Sequence, residues 1–297
     1  MSENLRRRIN KAVNFAHLNC DREIDLDQLA SAACLSKFHF SRKFSAELGE
    51  TPIQFLQRLR LERSARGLVY RPNMPVTQVA LASGFSGSQV FSRAFRRHFG
   101  RSPVEFRSEN WMRFKTYWDG RDAQQDSQTL TRIGLEDAFS KPVVKVKTLP
   151  PARVAYMRHY GHYGPNPAHD RLFNGVKNWA QDNGLWTQDA KLFGVGWDNA
   201  NITPPEVCRY DVCIPVPDHI AIPREICAQI LPGGRFACIS LDGHVDDFLH
   251  VWEWFIDGLL HSTNAQPADR PSYEIYHADC FNGDPDYVRA DLCLALR

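Results

Sequence analysis

Glu274 stands in the segment Tyr273-Glu274-Ile275-Tyr276, whose composition and alternation predict a β-strand. A carboxylate turned to the inner face of such a strand is costly unless something pairs with it. Turned outward, it is an ordinary solvated charge. Strand parity decides between the two, and the sequence leaves that parity open. Two arginines suggest a different chemistry. Arg42 and Arg93 hold the same place in a repeated pattern, Phe40-Ser41-Arg42-Lys43-Phe44 and Phe91-Ser92-Arg93-Ala94-Phe95. The arginine fork suits the acceptor edge of guanine, and Gln89 beside it suits adenine. An isolated arginine is more often a surface ion pair; its repetition on a basic segment favours contact with DNA.

The elements that must carry these arginines follow from the repeat. Gly49, Pro52 and Phe55 after the first pattern recur as Gly100, Pro103 and Phe106, all 51 residues later. Upstream, Leu29-Ala30 recurs as Val79-Ala80, 50 residues later. Each copy reads as a short amphipathic helix (26–33; 76–83), a tight turn, and a second helix ending before its glycine. Two helices across so short a turn form a helix-turn-helix. Ser36 and Ser86 are expected to cap the second helices. Residues 52–69 are expected to join the copies as one helix. Residues at the start of a recognition helix face base edges: Ser36, Lys37, Ser41 and Arg42 in the first copy, Ser88, Gln89 and Arg93 in the second. Lys43, Arg96 and Arg97 are placed for phosphates. Phe44, Phe55, Phe95 and Phe106 read as core.

Charge divides the chain at the same place. Residues 1–115 carry a net +10 and residues 116–297 a net −8 within a total of +2. The basic part can meet a polyanion; the acidic part is repelled by one. No apolar run reaches the roughly 20 residues of a membrane span, and residues 1–15 have no apolar core followed by a cleavage site. The eight cysteines are scattered without a C-x-x-C pair, as expected of buried thiols in a reducing compartment. A cytoplasmic protein without membrane contact is the expectation.

The acidic part has its own repeat. Ala152-Arg153-Val154-Ala155 recurs as Gly234-Arg235-Phe236-Ala237, Gly161-His162 as Gly243-His244, and Asp211-Val212-Cys213 as Asp291-Leu292-Cys293. Each copy reads strand, helix, strand, strand: about 152–159, 168–182, 192–197 and 209–216, then about 235–241, 246–260, 272–277 and 287–295. Extra strands at 142–149 and 225–231 precede the copies. A duplicated βαββ unit makes one sheet with both helices on one face. The polar stretch Asp119–Gln128 reads as a connector. The expected organisation is 1–115, a linker over 116–140, and 141–297. The fold class is therefore multidomain, an all-α double helix-turn-helix domain followed by an α+β domain.

Residues 5–110 closely resemble the DNA-binding domain of AraC/XylS-type regulators, through Gly84-Phe85, the second Phe-Ser-Arg-x-Phe pattern, and Phe99-Gly100-Arg101-Ser102-Pro103-Val104-Glu105-Phe106-Arg107. The resemblance implies two helix-turn-helix units on one rigid domain that reads successive major grooves of double-stranded DNA, with Phe38 standing where the family usually carries Trp or Tyr. The acidic part resembles the GyrI-like effector-binding domain through Gly161 to Pro165, Gly194-Val195-Gly196-Trp197-Asp198-Asn199, Arg209-Tyr210-Asp211-Val212 and Tyr273-Glu274-Ile275-Tyr276. That family's carboxylate faces lipophilic cations, which implies the same for Glu274, by charge attraction and cation–π contact. Tyr156, Tyr160, Tyr163, Trp197, Trp252 and Tyr276 are the expected walls, each with core packing as the alternative. The expected effector is small and lipophilic, a cation first, with fatty acids and bile salts as the other classes. RNA polymerase is an expected partner. In the alternative, the acidic domain docks a protein, gyrase or polymerase, instead of a small molecule.

No catalytic motif accompanies these features. Phosphate loop, nucleophile elbow and H-E-x-x-H patterns are absent. Asp218-His219 and Asp242-Gly243-His244 are weak acid–base pairs. His159, His162 and His169 lack the fixed spacing of a metal site. No enzyme activity, metal or other cofactor is expected.

Overall fold

Asp25, Ser36 and Thr51 begin three helices of the basic part, and Gly49 and Gly100 end two. The computed structural model describes residues 3–109, 144–164, 166–223, 226–244, 248, 251, 252, 254–256, 266–278 and 287–297. The expected linker at 116–140 lies outside the described residues. The chain divides into two compact units.

The first unit holds α1 (Glu3–Asn19), α2 (Leu26–Ala32), α3 (Lys37–Leu48), α4 (Pro52–Tyr70), α5 (Val76–Ala82) and α6 (Ser88–Phe99), and residues 103–109 are helical. Thr51 and Gln54 form a reciprocal capping box ahead of α4 (Gln54 N to Thr51 Oγ1 3.3 Å; Thr51 N to Gln54 Oε1 2.9 Å). Ser102 and Glu105 repeat it 51 residues later (3.2 and 2.7 Å). Gly49 and Gly100 end α3 and α6 with the same left-handed φ of 72°. The cores repeat as well. Phe44 meets Phe40 and Phe55 edge-on at 5.2 and 5.4 Å, and Phe95 meets Phe91 and Phe106 at 5.3 Å each. On α4 a buried Arg58 pairs with Glu50 (2.6 Å) and, one turn on, with Glu62 (3.1 Å).

One cap departs from expectation. Ser36 is the N-cap of α3, though its side chain makes no capping bond. In the second copy Gly87, not Ser86, is the N-cap. The second turn is one residue longer, which is why the repeat shifts from 50 to 51 residues across it. At the matching turn positions Cys34 (φ 53°) and Gly84 (φ 83°) are both left-handed.

Among the described residues, the second unit forms an eight-stranded antiparallel sheet, ordered β1-β6-β8-β7-β3-β4-β2-β5. Its strands are β1 (Lys145–Leu149), β2 (Ala152–Tyr160), β3 (Lys191–Gly196), β4 (Arg209–Pro215), β5 (Cys227–Leu231), β6 (Gly234–His244), β7 (Ser272–His277) and β8 (Tyr287–Ala295). The copies meet at the β3–β7 pairing, so the order is palindromic about that seam. Each preceding strand crosses over: β1 pairs with β6 of the second copy, and β5 with β2 of the first. Helix α7 (Pro167–Asp182) starts at Asn166, whose Oδ1 accepts from Ala168 N and His169 N. Residues 248, 251, 252 and 254–256 are helical too. Both helical segments pack on one face, where Val176, Ala180, Phe248, Val251 and Phe255 join Leu192, Val212 and Leu292. The other face has a separate buried cluster including Val154, Val195, Cys213, Phe236, Tyr273 and Cys293.

Candidate functional site

In the first unit α3 and α6 each turn phenylalanines inward and basic residues outward. Phe40 and Phe44 on α3, and Phe91, Ala94 and Phe95 on α6, are buried. Arg42 and Arg93 are exposed at equivalent positions on the opposite side. At the start of α3, Ser36 and Lys37 are exposed and the Phe38 ring is 88% accessible. Lys37 reaches Asp27 on α2 at 2.6 Å, a surface pair worth under about 1 kcal/mol. Ser41, Lys43 and Ser88 are half-buried, and Gln89, Arg96 and Arg97 are exposed. Arg96 lies 3.7 Å from Glu105. Phe38 and Arg42, like Gln89 and Arg93, are four residues apart and line one stripe of each helix. Such a stripe can enter a groove while the phenylalanines hold the helix from behind.

In the second unit Glu274 lies on the helix-covered face at the seam between the copies. Its strand β7 runs beside β3, with Gly194 directly opposite. A Cβ at Gly194 would collide with the Tyr210 hydroxyl and lie 2.5 Å from Glu274 Oε2. The bare glycine lets Tyr210, on β4 beyond β3, donate to Glu274 Oε2. The Tyr276 hydroxyl donates to the same oxygen at 2.9 Å, and the Trp252 indole N–H to Oε1 at 2.8 Å. Burial pushes the Glu274 carboxyl above its usual range, against the lowering effect of these three bonds. The Tyr210 hydroxyl is pushed well up by burial and by the carboxylate beside it.

Aromatic rings enclose this group. Tyr276 packs against Phe173 edge-on at 4.9 Å and lies parallel to Phe248 at 5.9 Å. Tyr163 meets Tyr210 at 5.9 Å, and its hydroxyl donates to Arg209 O at 2.8 Å. The His169 ring stacks on Tyr210 at 4.7 Å and meets His159 edge-on. Burial lowers the His169 pKa to about 4, so the ring is neutral. Together these groups offer one carboxylate, three neutral donors and apolar rings, a combination suited to a cation with an apolar body.

Tyr163, Trp252 and Tyr276 therefore share a face with Glu274. Tyr156, Tyr160 and Trp197 do not, which corrects their expected place in its wall. Tyr156 and Trp197 belong to the buried cluster on the opposite face, and Tyr160 follows Tyr156 on that side by alternation along β2. There Arg158 forms a fork with Asp211 (2.6 and 2.7 Å). Its guanidinium lies 5.3 Å from the Tyr156 ring and 5.6 Å from that of Trp197. Asp211 also accepts from Trp197 Nε1 at 2.7 Å and Gln229 Nε2 at 2.9 Å. Tyr156 and Trp197 are thus committed to a buried ion pair.

Tyr210, His169 and Gly194 are the residues that sequence reasoning missed. The stretch Arg209-Tyr210-Asp211 held the signal: with Asp211 on one face, Tyr210 must take the other. His159 and His169 are adjacent, yet no group of three metal-ligating side chains occurs among the described residues.

Comparison with known proteins covers both units. A helix-turn-helix domain model matches residues 29–109, and a model described as a GyrI-like small molecule binding domain matches residues 142–297. The SPbeta prophage-derived putative transcriptional regulator YosT of Bacillus subtilis is 32% identical over 109 residues, 37% of this chain and 72% of that protein. The HTH-type transcriptional regulator ArgR of Pseudomonas aeruginosa is 31% identical over 102 residues, 34% of this chain and 31% of that one. This chain therefore spans most of the first relative but under a third of the second. A solved AraC-type transcriptional regulator from Chromobacterium violaceum is similar at 28% identity, over 35% of this chain and 93% of its own, with a TM-score of 0.34.

Proposed function

Because this chain belongs to the family with a GyrI-like small molecule binding domain, here preceded by an AraC-type helix-turn-helix domain, we propose that it is a DNA-binding regulator whose effector is a small lipophilic cation. The carrying observation is the Glu274 carboxylate: half-buried, ringed by aromatic side chains, and held by Tyr210, Tyr276 and Trp252, all neutral donors. Neutral donors orient the charge without cancelling it. A cation cancels it in surroundings that screen poorly, and its apolar body replaces water against the rings. A fatty acid or bile salt would bring a second anion to a carboxylate already pushed up by burial.

On the DNA side, Arg42 and Arg93 read base edges in two major grooves, with Phe38 and Gln89 beside them and Lys43, Arg96 and Arg97 near phosphates. Their equivalent exposed positions, opposite repeated phenylalanine cores, support this reading.

The test of the effector class is a tryptophan-fluorescence titration of wild type and Glu274→Gln with a lipophilic quaternary ammonium, a long-chain fatty acid and a bile salt. Saturable quenching by the ammonium alone, weakened at least tenfold in the variant, is expected. Equal binding by both proteins moves the site away from Glu274. No binding by any of the three points to the domain as a protein-docking module.

A further inference from the structure

Arg60 on α4 joins parts of the first unit that are distant in sequence. Its Nε donates to Cys20 O at 2.8 Å and its Nη2 to Arg22 O at 2.6 Å. Both carbonyls lie in the loop leading into α2, the first helix of the first helix-turn-helix. Gly84, the left-handed turn residue of the second helix-turn-helix, abuts the same spot. A Cβ there would strike Cys20 O and lie 2.9 Å from Arg60 Nε. The matching turn residue of the first copy, Cys34, carries an exposed side chain. A left-handed turn residue therefore does not by itself require glycine here; close approach does, and only in the second copy.

We propose that the Arg60–Cys20–Gly84 contact fixes the distance and angle between α3 and α6, and so sets the spacing at which the protein accepts its two DNA half-sites. The connecting helix α4 has 19 residues, about 28 Å at 1.5 Å per residue. Successive major grooves are roughly 34 Å apart. Helix α4 is buried along its length, from Pro52 to Leu68, which holds each copy against it. The Arg60 contact adds a direct tie between the copies, from the turn of one to the entry loop of the other. Gly67 beside Val79 adds a close approach of α4 to α5, with a Cβ at Gly67 falling 3.2 Å from Val79 Cγ1. Arg60 and Gly84 are thus positioning residues: neither needs to touch a base.

The inference rests on both helix-turn-helix units engaging one duplex, and its test separates the two claims. A duplex is selected from a random library with the full-length wild-type protein and footprinted. The halves are then moved apart or together by one and two base pairs. Wild type is expected to cover two successive grooves and to lose at least tenfold in affinity for each altered spacing. Arg60→Met and Gly84→Ala are expected to flatten that spacing profile to within about threefold while keeping the base preference inside each half. Arg60→Met introduces no Cβ clash at the turn, so the test survives if Gly84→Ala fails to fold. Arg60→Lys, which keeps a donor, is expected to restore part of the penalty. A spacing profile unchanged in Arg60→Met, with or without uniformly weaker binding, overturns the inference. A wild-type footprint confined to one groove overturns the two-unit reading itself.

Discussion

Gly194 on β3 stands opposite Glu274 on β7, and the missing side chain lets Tyr210 reach across β3 to the carboxylate. The expected acidic site is therefore built from three strands and a helical residue, Trp252.

Gly194→Ala is expected to break the Tyr210–Glu274 hydrogen bond. A half-buried carboxylate that loses one of its three donors is expected to cost about 1–3 kcal/mol. The melting temperature should fall by several degrees, and binding of a lipophilic ammonium should weaken more than tenfold. Unchanged stability and binding would show that the seam tolerates a side chain.

Effector binding should depend on pH with a defined sign. The Glu274 carboxyl is raised by burial, so lowering the pH protonates it sooner than an ordinary glutamate. Affinity for a lipophilic ammonium should rise with pH through that raised value and then level off. Glu274→Gln should bind weakly and without this slope. Wild-type affinity that does not fall on acidification, or that falls no more than in Glu274→Gln, would contradict the assignment.

His169 makes an acid-sensitive contribution to stability. Its pKa is lowered from an unfolded value near 6.5 to about 4 by burial and by His159 nearby. Above 6.5 both states are neutral and the full contribution is present; it is lost as pH falls towards 4, on the order of 3 kcal/mol in all. Urea unfolding of wild type and His169→Phe between pH 7 and 4 should show a shallower acid decline in the variant. Parallel declines would assign acid loss to other groups.

On DNA, Arg42→Ala and Arg93→Ala should each cost about 1–3 kcal/mol and relax the preference at one base position. Arg97→Ala should weaken all sequences alike and reduce the dependence on salt. Competition binding against single-base variants of a selected duplex reads both effects. Intact base preference in Arg93→Ala would remove that residue from the readout.

The helix-turn-helix repeat was legible because its determinants are local. Caps, turn glycines and phenylalanines four residues apart act within a few residues, so two copies of one pattern announce two copies of one unit. The βαββ repeat was legible for the same reason, strand by strand. Parity was not. On β4 every residue from Arg209 to Ile214 is buried, because its side chains enter buried clusters on both faces of the sheet. Alternation of polar and apolar residues, the usual signature of sidedness, therefore vanishes. Tyr156 and Trp197 looked like binding walls on composition alone, yet strand register turned them towards Arg158 and Asp211. The sequence by itself determined which elements form and which residue types are available for DNA and for a cation. Only the tertiary structure decided which aromatics meet Glu274, that β1 and β5 cross to opposite copies, and that Arg60 meets Gly84. Each depends on residues far apart in the chain, brought together by strand pairing and helix packing that local pattern does not encode.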